Sequence, residues 1–202
     1  MNIVFDFGNV LVRWEPKEVF LPYFDNDEER YDYFWANICD SDFRNRIDAG
    51  EKQSEVIQEY QSRYPEYANL IAMYWTHWEQ SLPGEMPGMF SLVKKLKENP
   101  GNHIYGFTNW SMETYPIARN RFPILQLIDD YVVSGAEHLV KPDHRLFQIL
   151  LDRFCLKAEE CIFIDDNAAN VASACQMGFR GIVFQGAENL RLILEQLQRN
   201  EL

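Results

Sequence analysis

Five short runs of apolar residues recur along the chain, and each has the length of a buried β-strand. The runs cover residues 3–7, 103–107, 131–134, 161–164 and 181–184. Between the later runs, apolar residues return at helical spacing, as in Phe90, Val93 and Leu96. Strands that alternate with amphipathic helices predict an α/β fold, in which a Rossmann-like parallel sheet carries helices on both faces.

The first gap in this alternation is much longer than the others. About 80 residues separate the first strand from the helix that begins near Pro87, which exceeds the ordinary length of a loop. The stretch is rich in aromatic residues, and the turn-forming pairs Pro83-Gly84 and Pro87-Gly88 follow it. We therefore predict a helical cap over residues 15–82, inserted into a core domain made of residues 1–14 and 83–202.

Composition and charge narrow the classes of partner. With 202 residues, of which 47% are hydrophobic, the chain can bury the core of one globular domain with one modest insertion. Its formal net charge of −12 repels nucleic acids and anionic membrane surfaces at long range. A small metabolite is the expected partner, and a phosphorylated one would require a metal ion or a lysine that reverses the local charge.

The cysteines and the N-terminal residues predict a compartment. Cys39, Cys155, Cys161 and Cys175 form no CxxC pair, and three of the four fall in segments predicted to be buried. The chain starts without a basic segment followed by an apolar one, and no apolar run approaches the roughly 18 residues of a membrane span. We expect reduced core cysteines and a cytoplasmic protein.

Candidate chemistry lies where the predicted strands end, because open parallel sheets bind ligands outside the carboxyl ends of their strands. The residues at these positions are Asp6-Phe7-Gly8-Asn9, Thr108-Asn109, Lys141-Pro142-Asp143, which is predicted to open a helix with Pro142 in its first turn, and Asp165-Asp166-Asn167. Each has an ordinary structural explanation when taken alone, as a turn, a helix N-cap or a solvated lysine. Together, on one edge of a sheet, they are the types that phosphoryl transfer needs.

Phosphoryl transfer to a carboxylate requires a cation, because the phosphate oxygens repel the attacking group. Mg²⁺ prefers hard oxygen ligands and keeps some waters. The predicted ligands are Asp6, the main-chain carbonyl of Gly8, Asp165 and Asp166. Asp6 and Lys141 are the candidate catalytic residues, and Thr108, Asn109 and Lys141 are the candidate substrate-binding residues.

These four motifs, in this order, resemble those of the haloacid dehalogenase-like hydrolases. The Gly8-Asn9-Val10 run is similar to a subgroup that includes a bacterial α-glucose-1-phosphate phosphatase and lies near the N-terminal phosphatase domain of epoxide hydrolases. The resemblance implies that Asp6 forms an aspartyl-phosphate, that water then hydrolyses it, and that the insertion is a mobile cap. It favours a sugar phosphate as the substrate and leaves the oligomeric state open.

One position departs from the family pattern. Most phosphatases of this superfamily carry a second Asp two positions after the nucleophile, where it protonates the leaving group, and this chain has Gly8 there. General acid–base help of that kind is worth about 10²–10⁴ in rate. The candidates for a replacement in the cap are Asp42, Asp48, His77 and Glu79, or a bound water.

Two other functions compete with the phosphatase. The first is a metal-independent dehalogenase of 2-haloacids from the same superfamily, which typically lacks the acidic pair that Asp165 and Asp166 provide. The second is a catalytically idle module that binds a metabolite or a protein through its aromatic cap. Tyr74, Trp75 and Trp78 could stack on a sugar, although aromatic residues at helical spacing more often form a core.

Overall fold

The computed structural model describes residues 1–200 and contains one parallel sheet of five strands. The strands are β1 (Asn2–Phe5), β2 (His103–Thr108), β3 (Asp130–Val133), β4 (Cys161–Asp165) and β5 (Arg180–Val183). Their order across the sheet is β3-β2-β1-β4-β5. All five strands were predicted from the apolar runs, with ends that differ by no more than two residues.

Helices lie in two groups along the chain. The long first gap holds α1 (Pro16–Phe20), α2 (Glu28–Asn37), α3 (Ser41–Asp48), α4 (Gln53–Arg63) and α5 (Ala68–Thr76), with short 3-10 helices at Leu21–Phe24, Pro65–Tyr67 and Trp78–Ser81. The rest of the chain holds α6 (Met89–Lys97), α7 (Tyr115–Arg121), α8 (Pro123–Gln126), α9 (Ser134–Glu137), α10 (His144–Arg153), α11 (Ala168–Gln176) and α12 (Ala187–Asn200), with a 3-10 helix at Ala158–Glu160. Within residues 1–200, no helix has the length and apolar character that crossing a membrane requires.

The two faces of the sheet bury separate cores, because successive side chains of a strand point to opposite sides. Ile3 and Phe5 pack with α6, α7, α8 and α12 on one face. Val4 packs with α10 and α11 on the other. Helices therefore cover both faces, as the sequence predicts.

The helices of the first gap bury a core of their own, which includes Phe20, Phe34, Phe43 and Tyr60. The two connections between this helical insertion and the sheet run side by side. The Arg13 N–H donates to the Gly84 carbonyl at 2.9 Å, and the Met86 N–H donates to the Leu11 carbonyl at 2.8 Å. The insertion is thus joined to the sheet near the carboxyl end of β1.

Three local predictions were wrong. Phe90 is exposed, and the buried face of α6 is formed by Met89, Leu92, Val93 and Leu96. Helix α10 begins at His144 with Asp143 as its N-cap, so Pro142 lies before the helix and not in its first turn. Only two cysteines are buried: Cys39 and Cys161 lie in cores, whereas Cys155 and Cys175 are exposed, and all four are free thiols.

Candidate active site

The sheet order explains how distant motifs meet. Central β1 pairs with β2 on one side and β4 on the other, so the carboxyl ends of these three strands are adjacent. Asp6 follows β1, and its N–H donates to the Ile164 carbonyl at 2.9 Å. Thr108 ends β2 and Asp165 ends β4. The first, second and fourth motifs therefore share one edge.

Lys141 completes this edge from the loop before α10. Its Nζ lies 2.9 Å from Asp6 Oδ1 and 2.7 Å from Asp165 Oδ2, and it donates to the Phe107 carbonyl at 2.9 Å. Lys141 is 3% exposed and Asp165 is fully buried. Removing one partner of such a buried pair leaves an uncompensated charge, which is costly.

The partners of Asp165 and Lys141 hold both groups in place. Asp165 accepts from the Asn167 N–H at 2.8 Å and from Asn170 Nδ2, which lies 3.1 Å from each carboxylate oxygen. Asn109 donates from Nδ2 to the Lys141 carbonyl at 3.0 Å and accepts from the Lys141 N–H at 2.8 Å. The Asn109 side chain, predicted to bind substrate, thus bonds to the main chain of Lys141.

The carboxylates carry more negative charge than Lys141 balances. Ligand oxygens of Asp6, Asp165 and Asp166 lie within 4.8 Å of one another. Burial raises the pKa of Asp6 to about 7; Lys141 opposes this shift, and Asp165 and Asp166 add to it. Partial desolvation of its carboxyl group and the neighbouring Asp165 also raise the pKa of Asp166, although the residue as a whole is exposed. An excess of hard oxygen donors with one exposed member fits a divalent cation such as Mg²⁺.

A cavity of about 240 Å³ lies between the insertion and this edge of the sheet. Gly8, Asn109, Trp110, Ser111 and Thr114 line it from the sheet side. The insertion and its return segment contribute Arg44, Asn45, Ile47, Asp48, Gln53, Tyr74, Trp78 and Leu82, and Trp14 completes the wall. At roughly 30 Å³ per water molecule, the space holds a compact ligand.

The four candidates for a proton donor fall in different places. Asp42 accepts from the Tyr60 hydroxyl at 2.8 Å inside the insertion, His77 hydrogen-bonds to Thr76 at 2.8 Å, and Glu79 is exposed. Only Asp48 of these four lines the cavity beside Gly8. Of the aromatic residues considered for stacking, Tyr74 and Trp78 reach the cavity and Trp75 is exposed.

The family model of the haloacid dehalogenase-like hydrolases matches residues 1–178. The chain belongs to this family. The predicted membership of this superfamily is thereby confirmed.

Three curated relatives share parts of the sequence. Sesquiterpene phosphatase astK of Aspergillus oryzae is 31% identical over 46% of this chain and 47% of the relative. A chloroplast flavin mononucleotide hydrolase of Arabidopsis thaliana is 27% identical over 57% and 46%, and drimenol cyclase drtB of Aspergillus calidoustus is 27% identical over 50% and 20%. The chain spans less than half the length of each of these relatives.

Solved structures share the fold over nearly the whole chain. A HAD-like family hydrolase from Porphyromonas gingivalis has a TM-score of 0.74 at 20% identity, covering 98% of this chain and 97% of that one. A HAD family enzyme from Bacteroides thetaiotaomicron, in complex with magnesium and inorganic phosphate, has 0.68 at 17%, covering 92% and 94%. The L-2-haloacid dehalogenase of Xanthobacter autotrophicus has 0.65 at 13%, covering 89% and 75%. At such identities the likeness shows the fold of this hydrolase alone.

Asn170 was missed by the sequence analysis. The residue is buried and bonds to both oxygens of Asp165. A signal was present, because Asn167 is the N-cap of α11 and Asn170 follows three residues later. Positions three apart on a helix share a face, so an amide here points back to the strand end.

Proposed function

We propose that this hydrolase is a Mg²⁺-dependent phosphatase that hydrolyses a small phosphorylated metabolite through an aspartyl-phosphate on Asp6. The observation that carries the proposal is the cluster of three carboxylates around buried Lys141. One buried lysine cannot balance three carboxylates, and a bound divalent cation can. The named hydrolase and phosphatase among the relatives support the same reaction class.

Each residue of the cluster has a proposed task. Asp6 is the nucleophile, and its Oδ1 is oriented by the Phe7 N–H at 2.7 Å and by Lys141. Lys141 offsets the charge that gathers when a phosphate approaches, and Thr108 and nearby N–H groups bind the phosphate oxygens. Mg²⁺, held by Asp6, Asp165, Asp166 and the Gly8 carbonyl, would supply the positive charge that draws the phosphate to the nucleophile.

We also propose that the chain consists of two domains with different roles. Residues 15–82 form the cap and residues 1–14 and 83–202 the core domain, with the cavity between them as the binding site of the leaving group. Tyr74 and Trp78 offer flat apolar surfaces, while Asn45, Gln53 and Ser111 offer hydrogen bonds. A cavity lined by these aromatic and hydrogen-bonding side chains suits a sugar phosphate. This substrate class agrees with the proposed subgroup, which includes α-glucose-1-phosphate phosphatase. We place the reaction in the cytoplasm, consistent with four free cysteines.

The test is the release of phosphate from a panel of sugar phosphates, nucleotides, short acid phosphates and 4-nitrophenyl phosphate. Each assay is run with Mg²⁺ and repeated with EDTA, and Asp6→Asn serves as the inactive control. Turnover that requires the metal and is lost in Asp6→Asn is the expected result. Halide release from 2-haloacids in EDTA would instead establish the dehalogenase.

A further inference from the structure

The space in front of Gly8 is open to the cavity and is faced by a carboxyl group. A Cβ atom added at Gly8 would meet no described atom within 4 Å. Asp48, the last residue of α3, lines the same cavity from the insertion. The insertion therefore brings an acid to the region where the chain lacks one.

Contacts to the main chain at Asp48 and at the residues after it hold this segment toward the sheet. Ser134 Oγ donates to the Asp48 carbonyl at 2.6 Å, and His138 Nδ1 lies 3.0 Å from the Ala49 carbonyl. The N–H of Gln53 donates to Glu113 Oε1 at 2.9 Å. These contacts fix the loop between α3 and α4 on the edge that carries the catalytic cluster.

The Asp48 carboxyl group is unusually placed for an acidic residue. Among residues 1–200, no group donates a hydrogen bond to it, although it is half-buried. The charged and titratable groups that face it are Arg44 on α3, Tyr74 on α5 and Lys141 of the catalytic cluster. Burial raises the pKa of Asp48 to about 7, against the opposing effect of Arg44 and Lys141. Much of this group is therefore protonated at neutral pH.

We propose that Asp48 is the general acid and base of the phosphatase reaction, in place of the Asp that Gly8 replaces. This inference rests on the function proposed above. As Asp6 bonds to phosphorus and the ester P–O bond breaks, Asp48 gives its proton to the departing oxygen, which leaves as an alcohol. Water then attacks phosphorus, Asp48 takes its proton, and the bond from phosphorus to Asp6 breaks to release phosphate.

The test compares leaving groups of different basicity. An alkoxide needs a proton to depart, whereas 4-nitrophenolate does not. Asp48→Asn should lower kcat/KM about 10²–10⁴-fold for the alkyl phosphate of the panel that the wild type hydrolyses fastest. The same variant should change kcat/KM for 4-nitrophenyl phosphate by less than about tenfold, since the lost help is that of the acid. Asp42→Asn is the matched control on the same helix and should leave both values unchanged.

A second measurement needs no variant. In the wild type, kcat/KM for the alkyl ester should fall as the pH rises through the ionisation of Asp48, and the value for 4-nitrophenyl phosphate should lack this limb. Equal losses for both esters in Asp48→Asn, or no loss for either, would overturn the inference, as would identical alkaline limbs in the wild type. A wild type without metal-dependent phosphate release would instead refute the phosphatase itself.

Discussion

Replacing Lys141 by Met should destabilise the protein far more than an ordinary loss of charge. The Met side chain keeps the apolar stem but removes the Nζ that bonds to Phe107, Asp6 and Asp165. Two buried carboxylates then face each other without a cation. Removing one partner of a buried ion pair costs about 3–5 kcal/mol, a large part of the roughly 5–15 kcal/mol that stabilises a typical fold.

The assay is urea unfolding followed by circular dichroism, in EDTA, with thermal unfolding beside it. For a chain of this size, each kcal/mol lowers Tm by about 2–4 °C, so a fall of roughly 6–20 °C is expected. Lys157→Met is the matched control: Lys157 pairs with Glu160 at 3.2 Å, but both side chains are more than half exposed. Its loss should stay within about 1 kcal/mol.

The pH dependence of the stability lost in Lys141→Met tests whether unpaired carboxylates cause it. If the destabilisation comes from unpaired buried carboxylates, it should shrink as acid protonates Asp6, whose pKa burial raises to about 7. The double variant Lys141→Met with Asp165→Asn should also be less destabilised than the sum of the single variants. A loss below about 1 kcal/mol at pH 7, or one that does not change with pH, would refute this account.

Three further results are expected. Asp166→Asn should raise the Mg²⁺ concentration needed for half-maximal phosphate release, with little change in Tm. Asp165→Asn should lower Tm, because Asp165 is buried among hydrogen-bond donors. An unchanged metal titration in Asp166→Asn would shift the role of main metal ligand to Asp165. The pKa of Asp6 is raised from 3.8 to about 7, so its ionisation costs folding free energy as the pH rises through that window. In EDTA, Asp6→Asn should gain stability over the wild type between about pH 4 and 7, and an offset independent of pH would contradict this. Gly50 has a φ of +89°, and a methyl group there would overlap the Gly135 carbonyl, so Gly50→Ala should lower Tm. Gly84→Ala is the control and should leave Tm unchanged, because the space around Gly84 is open.

The sheet could be predicted because local and global signals agree in the strands. Each buried strand is a short apolar run, and its successive side chains point alternately into the two cores. In β1, for example, Ile3 and Phe5 belong to one core and Val4 to the other. Helix faces were less certain at their margins. Phe90 is apolar but lies at the border of the buried face of α6. Because a helix has 3.6 residues per turn, the sequence pattern does not decide whether such a border position is buried or exposed.

The placement of candidate residues at one edge was easiest to predict where a residue ends a strand or directly follows one. Asp6, Thr108 and Asp165 follow from that rule, since parallel strands end at one edge. Asn170 lies a helical turn further along the chain. Asn109 was predicted to bind substrate because it follows Thr108 at the end of β2. Its hydrogen bonds to the main chain of Lys141 depend on the path of a loop 32 residues away in sequence. Contacts between loops are set by tertiary packing, which a linear pattern does not contain.

The placement of Asp48 ties the proposed chemistry to the docking of the insertion. An acid two residues after Asp6 would be present whatever the position of the cap, since it would belong to the same loop. Asp48 instead belongs to the insertion, where Ser134 and His138 bond to the main chain of Asp48 and Ala49. Esters with basic leaving groups would then be hydrolysed only with the cap seated, when bulk water is excluded. If Asp48 is the general acid, as we propose, seating of the cap is therefore a condition of leaving-group departure and not only of substrate binding.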